Sequence, residues 1–324
     1  MHTASMRSLT VALAGVITTL TTMSWSSGLA QAQQTDRPVF RASVDRVTVA
    51  VTVRDKRGRP VTSLKADDFN LTDSGKPQPI LEVHRDTTPV SLAILADISG
   101  SMEVAGKRAA VREAARQLVG FLTAGEDKVG LYAFDAGLDE IQPLEVAPSR
   151  LVERLDRLEA WGKTKLFDAI AETGQKLAAS GAPRRAVVVL TDGYDNASQM
   201  TAGEVSAIAS SIDVPVYVLV IVSPLDRVGQ TTASVIDPTL AEQRDGMLGN
   251  LARWTGGDIL LPVGPVELTA ATKQIVQELR QAYLIAFEPG REPGWHPIDL
   301  RTKKTELVVR ARSGYLVSGR PERN

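Results

Sequence analysis

Two apolar runs end in short clusters of oxygen-bearing side chains. Residues 92–96 lead into Asp97-Ile98-Ser99-Gly100-Ser101, and residues 186–190 lead into Thr191-Asp192-Gly193. Between them, Gly162-Lys163-Thr164 precedes a helical pattern that starts near Leu166. An open α/β sheet binds ligands outside the carboxyl ends of its strands, so these loops are expected to share one edge. There Asp97, Ser99, Ser101, Thr164 and Asp192 would present oxygen donors, without nitrogen or sulfur. Such a set favours a hard divalent cation, Mg²⁺ first, with Mn²⁺ or Ca²⁺ as alternatives. Mg²⁺ keeps several waters, so an incomplete protein shell suits it. Taken singly, either loop would also serve as a turn capping the next helix.

Other chemistries fit less well. Gly162-Lys163-Thr164 resembles the end of a phosphate-binding loop, but Arg157 stands where that loop needs glycine, and a helix is expected before it. Ser99 and Ser101 lack a Gly-x-Ser-x-Gly elbow. Only His84 and His296 follow the leader, and both lie in outer β segments. A metal-dependent hydrolase is the better enzymatic alternative. It lacks a general base of suitable type and spacing, so a non-enzymatic role is expected. Asp195 and Asn196 read as caps of the following helix, or else as the rim of the site. Trp161 reads equally as a partner contact or as core. Arg184-Arg185 reads as a solvated edge, and the basic stretch 301–304 as an exposed hairpin.

The 324 residues suffice for one large domain and a smaller one. A formal net charge of −1 gives no basic footprint, so no nucleic-acid partner is expected. Arg7 is the only formal charge of the first 32 residues, ahead of an apolar stretch from Leu9 to about Leu20 and Ala30-Gln31-Ala32. That is the pattern of a secretory signal peptide over 1–32. The stretch is short of the ~20 residues that span a bilayer. The mature chain is therefore expected to be exported, periplasmic or secreted, with no transmembrane segment. It contains no cysteine, so packing alone must hold it.

The elements around the clusters change character along the chain. Alternating β-branched residues predict a strand over 44–53, with further short strands over 61–71 and 80–83. From Val90 strands and helices alternate: strands at 92–96, 129–134, 186–190, 214–222 and 259–261, and helices at 104–122, 148–158, 166–179, 248–254 and 266–281. That order implies an α/β domain over 89–281, a doubly wound and mostly parallel sheet of Rossmann-like type. Residues 223–246 read as a surface insertion. Strand patterns return at 283–287, 298–301 and 306–312, and the tail 318–324 reads as disordered. The β segments 39–88 and 282–317 are each too small to bury a core alone. The expected solution is one smaller β-sandwich built from both ends, with the α/β domain inserted between them.

Asp-x-Ser-x-Ser at Asp97, Ser99 and Ser101, then Thr164, then Thr-Asp-Gly at Asp192, resembles the metal-ion-dependent adhesion site of von Willebrand factor type A (VWFA) domains. The resemblance covers about 90–281, including Thr164-Lys165-Leu166-Phe167-Asp168-Ala169. It implies that Ser99, Ser101 and Thr164 bind the metal directly, while Asp97 and Asp192 orient its waters. It also implies cell adhesion or other protein binding, with the partner supplying an Asp or Glu carboxylate to the metal. Val53-Arg54-Asp55-Lys56-Arg57-Gly58, Asp67-Asp68-Phe69, residues 279–283 and residues 310–315 extend a narrower resemblance, to bacterial VWFA-related proteins common in Acidobacteria.

Overall fold

The computed structural model describes residues 46–104, 106–146, 151–155, 157, 162–211, 213–222 and 246–317. The expected leader, the centre of the 223–246 insertion, Trp161 and the tail 318–324 lie outside them.

A six-stranded sheet forms the middle of the molecule. In chain order its strands are β5 (Ser91–Asp97), β6 (Lys128–Phe134), β7 (Leu138–Val146), β8 (Arg185–Thr191), β9 (Val216–Val220) and β10 (Ile259–Leu260); in space they run β10-β9-β8-β5-β6-β7. Every pair is parallel except β6 with β7 at one edge. β5 is buried at all seven positions, as a continuous apolar strand covered on both faces must be. One face packs on α1 (Lys107–Phe121) and α6 (Pro265–Arg280), through Val111, Leu118, Ile275 and Leu279. The other packs on α3 (Leu166–Ala179), α4 (Ala202–Ser211) and α5 (Met247–Trp254), through Ile170, Val205 and Leu251. The short α2 (Leu151–Leu155) lies before α3 in the chain.

The ends of the chain form two four-stranded sheets. β1 (Val47–Arg54), β4 (Ile80–Arg85), β11 (Tyr283–Phe287) and β13 (Val308–Ala311) make one, in the order β13-β1-β11-β4. β2 (Phe69–Asp73), β3 (Lys76–Gln78), β12 (Gly294–Thr302) and β14 (Gly314–Val317) make the other, in the order β14-β12-β2-β3. Val49, Val51, Phe69, Leu71, Ile285, Phe287, Leu300 and Tyr315 fill the space between them. The registers Val49 opposite Ile285 and Val53 opposite Val309 join the two ends of the chain. The fold is therefore the expected α/β domain inserted in a β-sandwich.

Local departures have physical causes. β7 was not expected, because Asp139, Glu140, Pro143 and Glu145 break its alternation; an antiparallel edge strand tolerates them. Residues 61–68 carry no strand, only a turn of 3₁₀ helix at Ala66–Asp68, and β2 begins at Phe69. The first helix starts at Lys107 rather than at Val104, after a separate 3₁₀ turn at Gly100–Glu103. Arg184 is no solvated edge: its side chain is buried in an ion pair with Asp86.

Charge and close packing join the sandwich to the α/β domain. Arg54 of β1 reaches Glu278 of α6 at 2.7 Å, and Arg310 of β13 reaches Asp258 at 2.7 Å and Glu278 at 3.2 Å. Burial pushes the Glu278 carboxyl up to about 7, against the pull of Arg54. Beside this cluster Gly256 has φ +87°, and a Cβ there would lie 2.9 Å from the Arg312 nitrogen. A side chain would force α5 away from the sandwich.

Inside the sandwich both ring nitrogens of His296 face acceptors: Asp73 Oδ1 at 3.0 Å and the Glu292 carbonyl at 2.7 Å. Two acceptors suit the doubly protonated ring. The Glu292 carbonyl and then the Asp73 carboxylate hold its pKa above the ordinary value, against desolvation. Burial raises the Asp73 carboxyl, yet donors from Tyr315, His296, Ser74 and Gly290 more than offset this and hold it low. A histidine raised on folding contributes stability that is complete below the unfolded pKa of about 6.5 and is lost as pH rises through the folded value. Urea midpoints of the wild type should therefore fall as pH rises above about 6.5. His296→Gln should flatten that fall; an equal slope in the variant would count against the protonated ring.

Candidate metal centre

The strand order places the candidate residues. After β5 the chain moves to one side for β6 and β7, then returns to the other side of β5 for β8. β5 and β8 are parallel neighbours, with Ala96 opposite Leu190, and the topological switch lies at their carboxyl ends. Asp97 closes β5, and Asp192 follows directly on β8.

Asp97 is 2% exposed and held from two directions. Its Oδ1 accepts the Ser99 backbone N–H at 2.9 Å, the local turn that lets an aspartate end a strand. Its Oδ2 accepts the Thr191 hydroxyl at 2.6 Å, which ties the end of β8 to the end of β5. That hydroxyl in turn accepts the Gly193 N–H at 3.0 Å. Gly193 has φ +89°, a conformation that suits glycine at this tight turn. Burial raises the Asp97 carboxyl above its ordinary pKa; Ser99 and Thr191 oppose this, and the neighbouring Asp192 charge adds to it.

Ser99 is buried and begins the 3₁₀ turn, with its Oγ 3.2 Å from that of Ser101, which is exposed. Thr164 is buried in the third loop. Its N–H donates to Asn196 Oδ1 at 2.9 Å, and its carbonyl accepts the Asn196 N–H at 3.1 Å. Asp195 Oδ2 accepts the Phe167 N–H at 3.0 Å in the first turn of α3. Asp195 and Asn196 thus cap α3 and the Thr164 loop, rather than the helix that follows them. A carboxylate at that helix start is also favoured by the helix dipole. The carbonyl of Gly162 lies 4.0 Å from where a Cβ would stand on Gly100, so the third loop passes close to the first.

The structure adds a residue that the sequence reading passed over. Lys107 is the first residue of α1, and its ammonium lies 3.0 Å from Asp192 Oδ2. Both side chains are buried.

The residues fit a hard divalent ion. Asp97 and Asp192 bring two desolvated carboxylates close together, and a nearby cation would relieve their repulsion. The hydroxyls and carboxylates are the oxygen donors that such an ion takes. Among the described residues no cluster of three or more His, Cys, Asp or Glu could hold a metal, so the five positions would offer Mg²⁺ hydroxyls as much as carboxylates.

Residues 92–194 match the family model of the von Willebrand factor type A domain. Over that span the chain is similar to a von Willebrand factor type A domain. The matched span holds Asp97, Ser99, Ser101, Thr164 and Asp192. No curated protein matches the sequence. Among solved structures, an aerotolerance-related membrane protein from Bacteroides fragilis is 22% identical, covers 59% of this chain and 99% of its own, with a TM-score of 0.44. A von Willebrand factor type A protein from Catenulispora acidiphila is 15% identical, covers 79% and 75%, with a TM-score of 0.47. Manganese-loaded Plasmodium vivax TRAP protein is 14% identical, covers 77% and 100%, with a TM-score of 0.42. At these identities no role passes from them to this chain.

Thr191→Val should loosen the junction of β5 and β8 by removing both hydrogen bonds of its hydroxyl. A buried carboxylate oxygen deprived of its donor costs about 1–3 kcal/mol. Urea denaturation in chelator should show a loss of that size. A midpoint equal to wild type would mean that the Thr191 hydroxyl does not hold Asp97.

Proposed function

We propose that this chain is an exported protein, periplasmic or secreted, whose A domain holds a divalent metal and uses it to bind another protein. The observation that carries the reading is the buried pair Asp97 and Asp192 at the topological switch, with Asp97 fixed by Ser99 and Thr191. Ser99, Ser101 and Thr164 would hold the ion directly, with Asp97 and Asp192 orienting its waters. Mg²⁺ is the first choice, with Mn²⁺ or Ca²⁺ as alternatives. When bound, the ion supplies a positive centre for an anionic oxygen. Neutral hydroxyls leave its charge poorly offset, so an Asp or Glu carboxylate of the partner completes the shell, and the surrounding loops set specificity. Tyr194, exposed two residues beyond Asp192, would be part of that rim.

A metal-dependent hydrolase would need a base beside the ion. His84 lies on β4 and His296 is engaged inside the sandwich. Both are in the sandwich rather than at the switch, which favours recognition over catalysis. Among the described residues no helix is long and apolar enough to cross a membrane.

Asp97→Ala and Asp192→Asn should abolish Mg²⁺ binding in calorimetry while circular dichroism keeps the wild-type secondary structure, because both residues stand at the carboxyl edge of the sheet rather than within its apolar core. Unchanged affinity in both would remove the site. A partner captured from the cell envelope should be lost in chelator, recovered with Mg²⁺ or Mn²⁺, and weakened by Thr164→Ala. Binding indifferent to chelator would place recognition elsewhere on the protein. Export predicts that the mature protein, recovered outside the cytoplasm, begins near Gln33 by intact mass; a chain that keeps Met1 and stays in the cytoplasm would end that part of the reading.

A further inference from the structure

We propose that Lys107 is a built-in competitor of the metal: its ammonium occupies Asp192 when the ion is absent and keeps the affinity of the site for divalent cations low. This rests on the metal reading above and assigns Lys107 a role toward that metal.

The placement of Lys107 goes against ordinary helix electrostatics. It is the first residue of α1, where the helix dipole favours anions and disfavours a cation. No acidic residue stands in the first turn to offset it. The helix begins there because Gly106 takes a left-handed conformation, φ +79°, which glycine adopts at little cost. The lysine side chain is 9% exposed and the aspartate 3%, with 3.0 Å between Nζ and Oδ2. A buried ammonium is stable only beside a partner. Asp192 compensates both the burial and the unfavourable helix end.

The charge count gives the consequence. Asp97 and Asp192 together carry two negative charges when ionised, which a divalent ion would balance. With Lys107 in place the pocket is already half neutralised. An arriving ion then either sits beside the ammonium and is repelled, or displaces it from Asp192 and breaks that ion pair. Both routes weaken binding. The same contact steadies the metal-free site, because Asp192 keeps a positive neighbour beside the buried Asp97. The site can then lose its ion and stay assembled.

Titration calorimetry with Mg²⁺ and Mn²⁺ on the full mature chain tests this, comparing wild type with Lys107→Met and Lys107→Arg. Lys107→Met keeps much of the apolar stem and removes the charge. Its Kd should fall by about tenfold or more, as expected for deleting a like charge near the ion in a partly desolvated site. Lys107→Arg keeps the charge and should stay within a few-fold of wild type, as the conserved charge requires. Melting in chelator gives a second readout: Lys107→Met should melt below wild type without metal and gain more on adding Mg²⁺. Unchanged or weaker metal binding in Lys107→Met would overturn the inference and leave the metal site standing, with the lysine reduced to a support for Asp192. Binding of neither ion by wild type or variant would overturn the metal reading, and the inference with it.

Discussion

A strand buried on both faces has to turn polar where it leaves the sheet, and β5 is such a strand. Its seven residues are covered by α1 and α6 on one side and by α3 on the other. The pairing of β5 with β8, in parallel and in register, delivers Asp97 and Thr191 to the same height at the carboxyl edge. The later features of the site depend on that alignment. The Thr191 hydroxyl can bridge the strands because they end together, and the Asp192 charge reaches the buried Asp97 carboxyl for the same reason. Lys107 provides one from the chain itself.

Legibility in the sequence followed the strength of local constraint. The run 92–96 and the run 186–190 admit little but a strand buried on both faces, and Asp97, Ser99 and Asp192 lie where those strands end, as expected from where the runs stop. The joining of the two β ends was readable too, since neither end could bury its own valines. β7 was hidden by proline and acids that only an edge strand accepts. Lys107 was hidden because nothing in the local spacing marks a lysine at a helix start as buried. The available signal was its position: a lysine directly after Gly106, at the helix end that repels it. Arg184 was misread for a similar reason, since its partner Asp86 lies nearly a hundred positions earlier in the chain. Asp195 and Asn196 were recognised as capping residues but assigned to the wrong helix, because a cap that reaches back to Thr164 and Phe167 leaves no mark in local spacing.

The junction between the domains is more polar than either core. Arg54 and Arg310 come from the sandwich, Asp258 and Glu278 from the A domain, and each arginine touches both carboxylates. Buried ion pairs of this kind add little net stability, but losing one partner is costly. Their effect is to fix orientation: two planar guanidinium groups facing two carboxylates accept few relative angles. Gly256 lets the backbones close beside them.

The insertion also has a mechanical meaning. The chain leaves the sandwich after β4 and returns at β11, and these strands are antiparallel neighbours, with Arg85 opposite Tyr283. The doorway into the A domain is therefore one strand spacing wide. Tension applied between β1 and β14 would be carried through the hydrogen-bonded ladders and the packed interior of the sandwich. The inserted domain is joined covalently at two adjacent points, so a load between β1 and β14 would reach it through the Arg54 and Arg310 ion pairs rather than along its own strands. The carboxyl edge of the central sheet, where β5 and β8 end, would keep its alignment for as long as those ion pairs and the sandwich hold.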